Sequence, residues 1–147
     1  MPDHPRATAS LAGQPLRPLL EAFPAVCFTG ALVNDIAYAD TADMQWANFS
    51  VWLLTAGLVM GGLTVLAALI DFFGDARLRT IPATVLHGIG LVTAMVVALV
   101  NAFVHSRDGW TSVVPTGLVL SIVTVLLMAL TGWAGRSLIY RHRLGVA

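Results

Sequence analysis

Four long apolar runs, at about 19–38, 47–73, 81–104 and 113–138, constrain this chain more than any other feature. Bilayer hydrocarbon is about 30 Å thick, and a helix rising roughly 1.5 Å per residue needs about 20 apolar residues to cross it. Each run meets that length, so the expected class is all-α, with four transmembrane helices. A composition of 57% hydrophobic and 11% charged residues excludes an ordinary soluble domain. The first run begins well inside the chain and lacks a small-x-small cleavage site before Asp40 and Asp43, so it is expected to be retained rather than removed as a signal. Cys27 lies within it and has no second cysteine to pair with.

The runs divide the chain into a tail at 1–18, a membrane domain at 19–140 and a short basic end at 141–147. The tail, "MPDHPRATASLAGQPLRP", is rich in proline and small residues without helical periodicity, and is expected to be flexible. There are no lysines. Arg6, Arg17, Arg77, Arg79, Arg136, Arg141 and Arg143 fall on one side of the spans, and Arg107 alone falls on the other. By the positive-inside rule both termini are expected to be cytoplasmic, the chain being a multi-pass membrane protein. With zero formal net charge and no basic run, nucleic acid is not an expected partner. The bilayer is, and other membrane subunits or further copies of the chain are possible partners.

Lipid is as apolar as the helices, so contacts between helices form where small residues let backbones approach. Seams of alternating four- and three-residue steps run through all four spans: Glu21, Pro24, Phe28, Ala31, Asp35 and Tyr38; Ser50, Leu54, Gly57, Gly61, Thr64, Ala68 and Asp71; His87, Leu91, Ala94, Ala98, Asn101 and His105; Gly117, Ser121, Thr124, Met128, Thr131 and Gly135. A spacing near 3.5 predicts a left-handed bundle crossing at about 20°. The opposite face of the third span, Ile89, Val92, Val96, Val100 and Phe103, is expected to meet lipid.

Ionisable groups within a membrane are costly unless paired or turned into the bundle. Two layers follow. Glu21, Asp71, His87 and Arg136 share the cytoplasmic third, where Arg136 is expected to meet Asp71 or Glu21, and His87 a carboxylate. Toward the outside lie Asp35, Asn48, Asn101 and His105, with Asn34 nearby and Trp46 and Trp110 as interfacial anchors. The cytoplasmic layer reads as structural, or else as a ligand or proton site. Asp35, His105 and Asp108 make at most a weak carboxylate–imidazole metal set without diagnostic spacing, so no metal is expected.

His87 and His105 are five helical turns, about 27 Å, apart and cannot share one haem. No other span offers a histidine, so no cofactor is expected within one chain. A haem b shared between subunits would use His87. No ionisable side chain occupies the central third of any span, which disfavours a proton or ion path, and no nucleophile-and-base pattern stands out.

The closing stretch "TGWAGRSLIYRHRLGVA" resembles that of the bacterial predicted membrane protein family called domain of unknown function 2231, which ends on a T-G-W-x-G-G-E-L-V-Y-R-H-G-V-G-V pattern. "RPLLEAFPAVCFTGALVNDIAY", "AALIDFFGDARLR" and "LHGIG" are similar to its opening segment, second-helix end and third-helix histidine. The resemblance implies four spans with cytoplasmic ends and names no reaction. Arg17 stands where the family often has His, Ser137 where it has Glu, and Arg136 and Arg143 where it has Gly. Some members occur beside Rieske or other redox proteins. The leading expectation is therefore a non-enzymatic accessory or scaffold subunit, and the alternative a b-type haem or quinone-linked electron-transfer subunit.

Overall fold

The computed structural model describes residues 10–11, 14–107 and 113–142, with side chains at 20–107 and 113–136. Its elements are a minimal antiparallel ladder, β1 (Ser10–Leu11) with β2 (Gln14–Pro15), then α1 (Leu16–Thr41), α2 (Met44–Gly74), a single turn α3 (Ala76–Arg79), α4 (Pro82–His105) and α5 (Thr116–His142). The region expected to be a flexible tail thus contains the ladder and the first turn of α1. The final helix runs to His142, four residues beyond the apolar run ending at 138. Hydrophobicity ends earlier than backbone hydrogen bonding does. Pro82 sits in the first turn of α4, where its missing N–H costs nothing.

The connections are short. Ala42, with φ 57°, takes the left-handed conformation that usually falls to glycine after a helix, and its N–H returns to the Tyr38 carbonyl at 2.8 Å. Asp43 then caps α2 by accepting from the Gln45 N–H at 2.9 Å. At the other end, Asp75 accepts from the Arg77 N–H at 2.9 Å to start α3, which Leu78 holds against the bundle.

The four long helices pack in a ring, α1 on α2, α2 on α4, α4 on α5 and α5 back on α1. Their inner faces follow the 3.5-residue seams closely. Phe28, Ala31, Leu54, Leu91, Ala94, Ala98 and Met128 form the apolar core. The one displaced seam position is at the end of α2, where Ala67 is buried in place of Ala68. Close approach depends on glycine here. A methyl on Gly57 would stand 2.5 Å from the Phe28 ring, and one on Gly61 would overlap the Met95 sulfur.

The exterior is apolar. Trp52 and Trp133 are 74% and 76% exposed, and Ile89, Val92, Val96, Val100 and Phe103 all face outward on α4. All four long helices are long and apolar enough to cross a membrane. Water would not tolerate such a surface, whereas lipid solvates it without cost.

Candidate functional site: a buried carboxylate joining four helices

Asp35, one turn and a half from the end of α1, is 0% exposed and gathers polar partners from several helices. Its Oδ1 accepts from Ser50 Oγ of α2 at 2.5 Å and meets His105 Nε2 of α4 at 2.9 Å. Its Oδ2 accepts from Ser121 Oγ of α5 at 2.5 Å. One carboxylate on α1 therefore touches all three other long helices. Asn101 adds an outer link, donating from Nδ2 to Ser121 Oγ at 2.8 Å.

The hydrogen positions follow from the acceptors. His105 Nδ1 lies 3.0 Å from the Asn101 carbonyl, which can only accept, so Nδ1 carries a proton. One further proton then lies between Nε2 and Asp35 Oδ1. Whichever atom holds it, the pair is neutral overall, which is how a membrane interior accommodates an acid and a base together. Ser50 Oγ also lies 3.1 Å from the Ala31 carbonyl, giving its single hydrogen two acceptors in α1. Among the described residues neither serine hydroxyl bonds to an imidazole nitrogen, and no three metal-ligating side chains converge.

Of the residues expected in this outer layer, Asp35, Asn101 and His105 come together and Asn48 does not. Asn48 is exposed because Ala47 and Ser50 face inward on α2, leaving the position between them turned out. Asn34 donates to the Gly30 carbonyl of its own helix at 2.7 Å. Asp108 and Trp110 lie outside the described residues. Ser50 and Ser121 are central, although their sequence positions suggest only small seam residues.

The second layer is looser. His87, 1% exposed, donates from Nδ1 to the Thr131 carbonyl of α5 at 2.9 Å. Its Nε2 stands 3.2 Å from Glu21 Oε1, within ion-pair distance yet outside hydrogen-bond alignment. The ring lies against Gly135, where a methyl would come within 2.9 Å of Cε1. Asp71 is buried at the same end. Arg136 corrects the expectation: it is exposed, and no ion pair joins it to Asp71 or Glu21. Gly135 occupies the inward position, and the next residue is turned about 100° away, so its long side chain leaves the bundle.

Between the layers, from residue 21 to residue 35 of α1, lie about 21 Å of helix. The inward hydroxyls of Thr64 and Thr124 are bonded to carbonyls of their own helices, at 2.9 and 2.8 Å. The rest of the interior there is the apolar core.

No curated protein and no solved structure matches the chain. A model of the family described as "Predicted membrane protein (DUF2231)" matches residues 13–147, nearly the whole sequence, and with four apolar helices around a membrane-type interior the chain belongs to that family.

Proposed function

We propose that the chain is a non-enzymatic, multi-pass accessory or scaffold subunit of the bacterial inner membrane, with both termini cytoplasmic, acting through its bundle. The observation that carries this reading is the Asp35 knot. Both carboxylate oxygens are occupied by donors from other helices, and the group is sealed from water. A carboxylate arranged in this way supports a fixed scaffold better than a working acid or base, which must reach a substrate. The partners that its apolar surface fits are lipid, other membrane subunits and further copies of the chain.

The electron-transfer alternative rests on His87. Both of its ring nitrogens already face protein atoms, so haem ligation through Nε2 would require Glu21 to move. An optical spectrum of the purified protein tests the choice. The expected reduced-minus-oxidised spectrum is featureless, whereas Soret and alpha bands lost in His87→Ala would establish the haem reading instead. Orientation is tested separately: alkaline phosphatase fused after Ala147 should be inactive, and a fusion between α1 and α2 active. The reverse pattern would overturn the orientation.

A further inference from the structure

Two acid–imidazole contacts cross the bundle from α1 to α4, and they share one arrangement. His105 and His87 each commit Nδ1 to a backbone carbonyl and turn Nε2 toward an α1 carboxylate, Asp35 at 2.9 Å and Glu21 at 3.2 Å. The surroundings of the two carboxylates differ. Asp35 also accepts from Ser50 and Ser121, so two hydroxyls support it besides the imidazole. Glu21 has no other donor among the described residues, and its side chain reaches the surface, whereas both side chains of the outer pair are sealed.

With Nδ1–H given to the Thr131 carbonyl, His87 Nε2 carries a lone pair, and that atom is buried without a hydrogen-bond partner. A lone pair and a carboxylate repel each other at 3.2 Å, and one proton between them turns the same approach into an attraction. Gly135 packs against the ring and, together with the Nδ1 bond, fixes its direction. Among the described side chains, the other charged groups at this end do not meet His87: Asp71 of α2 is buried apart from it, and Arg77 and Arg79 of α3 and Arg136 of α5 are exposed. α5 presents the uncharged Thr131 and Gly135 to the ring. On α1, a proline separates Glu21 from the rest of the span. Pro24 lacks the N–H that would bond to the Leu20 carbonyl, so the turn bearing Glu21 is held by one backbone bond fewer.

We propose that the Glu21–His87 pair binds one proton from water at the rim, and that this proton holds the start of the α1 span against α4 and α5. Loss of the proton leaves two acceptors facing each other, and the segment before Pro24 swings outward about the weakened turn. The Asp35–His105 pair is not part of this device, because its carboxylate keeps two hydroxyl donors and has no contact with water.

Spin labels attached through Ala22→Cys and Trp133→Cys, in the full chain carrying Cys27→Ala, report the separation of α1 and α5 at this end in detergent. Between pH values of about 5 and about 9, which bracket the ordinary range of histidine, the distance should lengthen by about 2–5 Å, the scale of a helix-end shift. Glu21→Gln in the same background separates the proton from other effects of pH. Its amide N–H donates to Nε2 without a bound proton, so the distance should keep its low-pH value throughout. Nitrogen NMR of the histidine rings reads the proton itself: the His87 Nε2 signal, identified by its loss in His87→Gln, should change between the two pH values in the parent protein and not in Glu21→Gln. A parent distance or Nε2 signal that does not change, or the same lengthening in Glu21→Gln, would overturn the proposal.

Discussion

The two polar layers of this bundle use the same residue types and are built differently. At the outer layer an acid, an imidazole and two serines saturate one another, and Asp35 has partners on every other long helix. At the other layer, His87 has one aligned bond to a backbone carbonyl and a contact with Glu21, whose side chain remains 22% exposed. A buried charge thus belongs to a structural knot when its partners come from several helices and water is absent. At Glu21, near the rim, the partly exposed carboxylate is shared with solvent.

This contrast can be broken by substitution. The largest effect is expected for Asp35→Ala, which leaves His105 Nε2 and two hydroxyls facing an empty site. The loss should be about 3–5 kcal/mol by analogy with a broken buried pair, read as thermal unfolding in detergent. A loss no greater than that of His87→Ala would remove the distinction between the layers.

Gly135→Ala sharpens the description of the looser layer. The added methyl would press on the His87 ring, costing about 1–3 kcal/mol for an overpacked site. Combining it with His87→Ala should recover most of that loss. If it recovers none, the ring does not occupy the position against α5.

The smallest effect is expected for Arg136→Gln. An exposed side chain with no ion pair to Asp71 should contribute within about 0.5 kcal/mol, and Arg136→Gln should add independently to Asp71→Asn. A coupling well beyond that between the two would restore the pair that the sequence suggested.

Much of the architecture was legible because a bundle in lipid has a strong periodic signature. Small and polar residues every three or four positions mark the inward face, and the buried residues of all four long helices follow that rhythm. Asp35 was conspicuous for a simple reason: a carboxylate inside an apolar span needs partners. Which partners was not legible. Ser50, Ser121 and His105 are 15, 86 and 70 residues away from it, and no local rule connects such distances. A serine on a seam also reads the same whether selected for its size or for its hydroxyl. Asn48 and Arg136 show the opposite error, since each lies one residue from an inward position and depth alone suggested that it belonged to a layer. Rotation about the helix axis decided both.

The central claim is that Asp35 acts as a joint between helices rather than as an isolated acid. A double-mutant cycle across α1 and α5, comparing Asp35→Ala, Ser121→Ala and the double variant by thermal unfolding in one detergent, tests it most directly. Residues that share a hydrogen bond should show a coupling of about 0.5–3 kcal/mol, the double variant losing less than the two single losses combined. Strict additivity would mean that the two side chains do not interact, and would contradict the four-helix knot.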